Sequence, residues 1–405
     1  MVIKNCLSCN KRGLAHVLLL GDLYLSDFVD KKDLGKIPKY PLDLVLCNNC
    51  HLLQIKNVTP AEKLYTESYG YYSGINRTMR NELFDIVEKA KNIVSIMKGD
   101  IVLDIGCNDG TLLKNYNGGI VKVGFDPVKK FKKYYKKKGE IFINDYFNSK
   151  RFFKNFPEKK AKIITAISMF YDLEDPNKFL GDMKACLDPE GIFIIQQNYL
   201  GKMLELNGFD NIVHEHIEYY SLLSLKNLLE RHGLEITDVF VNSINGGSFR
   251  TFISFKGQRK SKSRVLKLLE EEKNRALHTK IPYFEFSKRI KLNMDKLSKF
   301  IKAEVKKGKH IYAYGASTRG NTLLQYAKLD NRLIEKAVER NPEKWGKIIA
   351  SVGIPIISEE QARKEKPDYM LVLPWFFRKE FLEREKKYLK EGGHFIFPLP
   401  EFNVI

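Results

Sequence analysis

The sequence predicts an α/β protein of more than one unit, with a small cysteine-rich module ahead of two strand-and-helix segments. Three observations carry this prediction. Four of the 6 cysteines fall in two CxxC pairs near the start of the chain. Short β-rich runs then alternate with charged amphipathic stretches, the mark of a parallel sheet covered by helices. That alternation stops at a charged helical region and restarts near residue 309. A chain of 405 residues is too long for one ordinary core, and a 43% hydrophobic share with 26 Phe and 20 Tyr is ample for several.

Residues 1–60 contain short apolar runs and no long helical period, and they read as a zinc-binding module. Cys6 and Cys9 form one CxxC, Cys47 and Cys50 the other. Two-residue spacing lets both thiolates of a pair meet one tetrahedral ion, and two such pairs close a four-sulfur shell. The stretch 10–46 is wider than in a minimal zinc ribbon, so the chain must loop out and return. A closed shell leaves no open coordination position, so the Zn2+ is expected to be structural. Four reduced, unliganded thiols are the alternative.

The next segment, residues 61–257, opens with a helical period over 76–98. The strands IVLDIG, VKVGFD, IITAISMF and GIFIIQQN follow. Its sharpest motif is IVLDIGCNDGTLL (101–113), where a buried strand ends in Asp104, turns through Gly106 and is expected to start a helix after Gly110. Glycine lets the backbone turn tightly and approach a ligand. A dinucleotide oxidoreductase would show G-x-G-x-x-G here; the order D-x-G-C-N-D-G lacks the third glycine. Asp126, at the end of the second strand about 20 residues on, stands where an acid bonds ribose hydroxyls. This pair of signals resembles the class I methyltransferase fingerprint. The resemblance implies S-adenosylmethionine as cofactor, held by Asp104, Gly106, Asn108, Asp109, Gly110 and Asp126, with Asp145 near the adenine.

Residues 258–308 read as a charged helical connector, and 309–405 as a second, C-terminal Rossmann-like unit with strands HIYAYGA, LIEKAVER, YMLVLPW and GHFIFPLP. Three further stretches narrow the reading: LYTESYGYYSGIN (64–76), FDNIVHEHIEYYSLLSL (209–225) and YGASTRGNTLLQY (314–326). With the two CxxC pairs, their order resembles the sugar C-methyltransferases that act on nucleotide-linked 4-keto-6-deoxyhexoses, across essentially the whole chain. The resemblance implies His216 as the base that forms an enolate, Glu215 as a group orienting substrate or imidazole, and Tyr71 as a donor to the oxyanion. Tyr69 and Tyr72 stand beside Tyr71 as alternatives. It further implies that Gly315, Arg319 and Asn321 cradle the nucleoside diphosphate, with Glu339 at the acid position after the second strand. Backbone N–H groups at a helix start and an arginine fork both suit phosphate.

Two positions depart from the family pattern. Val213 stands where some relatives carry Tyr, and Asp172, in DLEDP, stands where many class I methyltransferases have His. A purely structural reading of His214, Glu215 and His216 is a polar entry that caps the next helix.

The charge balance, 69 basic against 49 acidic residues for a net +20, admits a nucleic-acid partner. The lysines, however, are scattered, and the densest run, KKFKKYYKKKGE (129–140), reads as the solvated face of one helix. A zinc-containing nucleic-acid binder leaves DIGCNDG and Asp126 without a role. The stronger rival is O- or N-methylation of another small molecule on the same scaffold. No apolar run nears the roughly 18–20 residues of a membrane span, and no secretory signal opens the chain, so a cytoplasmic enzyme without a membrane partner is expected.

Overall fold

The computed structural model describes residues 2–60, 64 and 70–405. Tyr69 and much of the stretch 64–69 therefore lie outside the described residues.

In the N-terminal module, strands β1 (Leu14–Tyr24), β3 (Lys39–Cys47) and β4 (Leu53–Ile55) pair antiparallel, while the short β2 (Phe28–Val29) leaves the module. Each cysteine pair sits on a tight knuckle. Asn10 N–H donates to Cys6 O at 2.8 Å and His51 N–H to Cys47 O at 3.1 Å. Asn10 (φ 56°) and His51 (φ 62°) take the left-handed backbone that closes each turn.

The central sheet is built from β5 (Ile101–Ile105), β6 (Val121–Phe125), β7 (Glu140–Ile143), β8 (Ala161–Ile167) and β9 (Leu187–Asn198), all parallel. Helices α1 (Arg77–Lys91), α2 (Ser149–Asn155), α3 (Pro176–Cys186) and α4 (Leu200–Glu205) intervene or flank. The short β10 (Glu218–Tyr219) precedes α5 (Leu222–Arg231), and the sheet is completed by β11 (Leu234–Asn242) and β12 (Ser248–Phe255). Its order is β11-β12-β9-β8-β5-β6-β7, with β12 antiparallel to both neighbours. The strand order reverses at β5, which opens a crevice at the carboxyl ends of the strands. Arg250 on β12, 2% exposed, fixes α1 over this sheet by ion pairs to Glu82 (2.6 Å) and Asp85 (2.8 Å).

Helices α6 (Ser263–Asn274) and α7 (Ile281–Lys306) follow. The sequence reads this region as a helical connector between two units, and α7 also lays Tyr283, Phe286, Ile290, Met294, Leu297 and Ile301 into the core of the last sheet. Their spacing of three and four places them on one helical face. That last sheet contains β13 (Ile311–Tyr314), β14 (Lys336–Glu339), β15 (Ile348–Ile349), β16 (Ile354–Ser358), β17 (Tyr369–Val372), β18 (His394–Phe397) and β19 (Asn403–Val404). Helices α8 (Thr318–Tyr326), α9 (Glu359–Glu365), α10 (Arg378–Arg384) and α11 (Lys386–Lys390) accompany it. The order is β19-β18-β17-β13-β14-β16-β15-β2, so a strand of the N-terminal module forms one edge.

Two expected helices are absent. After Gly110 the chain makes a single 3-10 turn at Leu113–Asn115, and the lysine-rich run makes another at Lys129–Tyr134 before β7. Like charges three and four residues apart oppose a continued helix in the second case. Its Phe131 is instead buried, and Lys130 lies over the Tyr72 ring at 5.1 Å.

Candidate active site

The crevice at the reversal of strand order holds a cavity of about 390 Å³. Asp104, Gly106, Asn108, Asp126 and Asp145 line it, as the sequence suggests, together with Tyr71 and Asp172. Gly106 has φ +72°, and a Cβ there would lie 3.0 Å from Met169, another wall residue. Asp126 is 6% exposed and accepts from Asn108 N (2.9 Å) and Val128 N (2.9 Å), one bond per oxygen. Burial raises its pKa to about 6, and that of Asp104, which accepts from Thr165 Oγ1 at 2.6 Å, to about 7. Each carboxylate oxygen of Asp126 keeps a second lone pair for a hydroxyl. Asp145 pairs with Arg151 at 2.8 Å at the rim.

Asp109 and Gly110 lie outside this lining. Asp109 accepts from Gly74 N at 2.8 Å and from Thr111 Oγ1 at 2.6 Å, while Asn108 Oδ1 accepts from Ser73 N at 3.1 Å. Both side chains therefore hold the loop that carries Tyr71 over the turn. Gly110 is required by packing, since a Cβ would meet the Tyr135 ring at 3.0 Å. The sequence does not flag the apolar walls, among them Met79, Leu83, Tyr146, Phe147, Met169 and Phe179. They come from four separate places in the chain and carry no local signal beyond ordinary core character.

Tyr71 is 44% exposed as a residue, yet its hydroxyl end is crowded by protein, and this desolvation raises its pKa to about 12. Tyr72 points away, donating to Glu343 at 3.0 Å.

His216 stands on a loop between Phe209–Asn211 and β10. Its Nδ1 lies 2.9 Å from Asn211 O. A carbonyl only accepts, so Nδ1 carries the proton and Nε2 the lone pair. The ring meets Tyr171 edge-on at 4.4 Å, beside cavity-lining Asp172, and Ile217 N–H donates to Tyr171 O at 2.9 Å. Burial lowers its pKa to about 3, and the Arg319 charge acts in the same direction. Glu215 moves the opposite way: burial raises it to about 7, and its Oε2 has no hydrogen-bond partner among the described residues. His214 serves the structure, bonding Tyr40 O of the N-terminal module at 3.1 Å. The triplet does not cap α5, because Ser221 and Ser224 form that cap themselves. Val213, 2% exposed, is a core residue.

The N-terminal module reaches this loop directly. β10 pairs antiparallel with β4, and Ile55 N–H donates to Ile217 O at 2.9 Å, one residue from His216. The four cysteine sulfurs lie within 4.8 Å of one another, with Cys6–Cys50 at 3.5 Å and Cys9–Cys47 at 3.6 Å. Tetrahedral zinc at about 2.3 Å from each sulfur needs sulfurs about 3.8 Å apart, so the set fits the ion.

Arg319 spans the two large sheets. Its Nε and Nη2 both reach Asp210 Oδ2 at 2.9 Å, Nη1 donates to Asn245 O, and its plane lies 4.6 Å from the Phe376 ring centre. Asp210 is fully buried and also accepts from Trp375 Nε1 at 3.1 Å. Gly315 (φ +93°) packs against Pro374, and Asn321, 1% exposed, accepts from Ser351 Oγ at 2.6 Å. Glu339 closes the same turn, accepting from Ala316 N at 3.0 Å.

A buried acid after the second strand, a glycine turn at the sheet's reversal and a four-sulfur shell define an S-adenosylmethionine-dependent methyltransferase with a structural zinc module. The comparisons agree. Family profiles match as "Methyltransferase domain" over residues 75–239, "C-methyltransferase C-terminal domain" over 243–400 and a zinc binding domain over 6–65. The chain is 30% identical over 408 residues to the C-methyltransferase NovU of Streptomyces niveus, covering 100% of this chain and 97% of that one. It belongs to this C-methyltransferase family, and its reaction is S-adenosylmethionine-dependent transfer of a methyl group to carbon.

Among solved structures, the plantazolicin methyltransferase BpumL with S-adenosylhomocysteine and a desmethyl analogue is 14% identical, with 45% of this chain and 86% of that one covered and a TM-score of 0.36. An S-adenosylmethionine-dependent methyltransferase from Clostridium acetobutylicum is 15% identical, with 44% and 92% covered and a TM-score of 0.33. Among the described residues no helix is long and apolar enough to cross a membrane.

Proposed function

We propose that this enzyme methylates a ring carbon beside the ketone of a nucleoside-diphosphate-linked 4-keto-6-deoxy sugar, with His216 as general base. The observation that supports it best is the fixed, neutral imidazole, with Nδ1–H on Asn211 O and the free lone pair on Nε2. When bound, S-adenosylmethionine supplies an electron-poor methyl group. A carbon beside a ketone becomes a nucleophile only once its proton leaves and the C–H electrons move onto the carbonyl oxygen. Nε2 of His216 takes that proton. The enolate charge growing beside it counteracts the desolvation that otherwise keeps the ring neutral, so its proton affinity rises as the reaction advances.

Glu215, raised to about 7, retains a proton over part of the neutral range and can donate it in a hydrogen bond to the enolate oxygen. Tyr71, in the wall of the cofactor cavity, is a second candidate donor. The segment from residue 309 onward is the half that we assign to the nucleotide.

The test is solvent-deuterium exchange at the sugar carbon beside the ketone, with S-adenosylhomocysteine bound. Exchange in the wild type and its loss in His216→Asn are expected. Absent exchange, with only a modest slowing of turnover in His216→Asn, would refute the enolate step and favour methyl transfer to another class of nucleophile.

A further inference from the structure

A second cavity, of about 330 Å³, opens between the start of α1 and the last sheet, lined by Ile75, Arg77, Arg80, Arg340, Glu380, Glu383 and Arg384. Four guanidinium groups face two carboxylates there. Arg340 and Arg384 share Glu380 at 3.4 and 3.3 Å, and Arg384 also reaches Glu359 at 3.0 Å. Arg80 uses one nitrogen on Gly74 O (2.7 Å) and Ile75 O (3.1 Å). Arg77 has no hydrogen bond or ion pair among the described residues.

Two observations favour an anionic ligand at this cluster. Arg77 and Arg80 occupy the first turns of a 15-residue helix that has no acid in its first turn. A helix start is already electropositive, so two cations there repel it unless an anion joins them. In addition, the turn where sequence alone would seat a phosphate is partly taken up by the protein's own groups. Ser317 caps α8 by accepting from Gly320 N, Glu339 accepts from Ala316 N, and Lys344 Nζ donates to Ala316 O at 2.7 Å. Arg319 is held on buried Asp210.

The position also suits the chemistry. One loop separates this cavity from the cofactor cavity, with Tyr71 and Ser73 lining the latter and Ile75 the former. That loop is tied to the last sheet's side by Tyr72 to Glu343 (3.0 Å) and by Asn341 Nδ2 to Gly70 O (3.3 Å).

We infer that Arg77, Arg80 and Arg340 bind the diphosphate of the substrate, placing the sugar across this loop toward the methyl-donor cavity. This rests on the nucleoside-diphosphate reading above. Planar guanidinium forks meet phosphate oxygens two at a time, and arginines from both walls would join the two halves of the enzyme around one ligand.

Calorimetric titration of the full chain, with S-adenosylhomocysteine present, tests it using thymidine, uridine and guanosine 5′-diphosphates as probes. The exposed double variant Arg77→Gln/Arg80→Gln is expected to weaken diphosphate binding by roughly 100-fold or more while leaving S-adenosylhomocysteine affinity unchanged. Arg340→Gln, on the opposite wall, is expected to weaken it by about 10-fold or more. Wild-type binding retained in both variants would overturn this inference and leave the substrate reading standing. No binding of any nucleoside diphosphate by the wild type would overturn the substrate reading and this site with it.

Discussion

Replacing Arg319 with Met should couple strongly to Asp210. The side chain leaves behind a fully buried carboxylate whose remaining donor is Trp375 Nε1 at 3.1 Å. Two N–H bonds at 2.9 Å on one oxygen are lost together. Opposite unit charges about 4 Å apart at an effective dielectric of about 20 attract by ~4 kcal/mol. Breaking one side of a buried pair costs ~3–5 kcal/mol, the same range. Arg319→Met alone is therefore expected to destabilise by about 3–5 kcal/mol, whereas Arg319→Met with Asp210→Asn should recover about half or more, because no bare carboxylate remains. Urea unfolding followed by tryptophan fluorescence reads the effect, since Trp375 is 5% exposed and belongs to the network. Methyl transfer should fall as well, because Asp210 adjoins Asn211, whose carbonyl anchors His216. Single-variant effects that add within about 0.5 kcal/mol, together with unchanged kcat/KM, would refute the coupling.

Three further outcomes are expected. His216, lowered to about 3 from 6.5, binds its proton in the unfolded chain before the folded one, so stability falls as pH drops from about 6.5 to 3, by up to ~4–5 kcal/mol. His216→Asn should then have a lower acid-unfolding midpoint than the wild type, and an equal or higher one would contradict the burial argument. The Asp126 carboxyl, raised to about 6, protonates in mild acid, so S-adenosylhomocysteine affinity should weaken as pH falls through about 6, while Asp126→Asn binds weakly at every pH. A titration series from pH 5 to 8 that stays flat for the wild type would exclude the carboxylate as a ribose acceptor. Chelation of zinc should release the knuckles and with them the β4–β10 pairing beside His216, so turnover is lost before cofactor binding. Full kcat in zinc-depleted protein would separate the module from catalysis.

The glycine turn at Gly106 and the acid at Asp126 were legible because both are local backbone requirements: a left-handed turn and an acceptor at a fixed distance along a βαβ unit. The two CxxC knuckles were legible for the same reason, each being a turn of a few residues. Side-chain assignments around them were not. Asp109 looks like a ligand contact in the sequence, yet it lies off the cavity lining and holds Gly74, while Asn108 lines the cavity and also holds Ser73, each about 35 residues away. Arg319 looks like a free phosphate fork until Asp210, 109 residues earlier, is seen buried against it. Where the helix after Gly110 is expected, the Tyr135 ring packs on Gly110 and Asp109 accepts from Gly74 N, contacts that the local sequence does not announce.

Local motifs and the family resemblance they carry therefore indicated the class of this enzyme: the zinc shell, the cofactor turn, two α/β segments and the HEH triplet. Tertiary structure decided how they cooperate. It lent β2 of the zinc module to the last sheet and β10, beside the His216 loop, to the zinc module, gave His216 its neutral tautomer, and set four arginines around one cavity. Those outcomes depend on long-range burial and charge pairing, which act between residues far apart in the chain and leave no pattern along it.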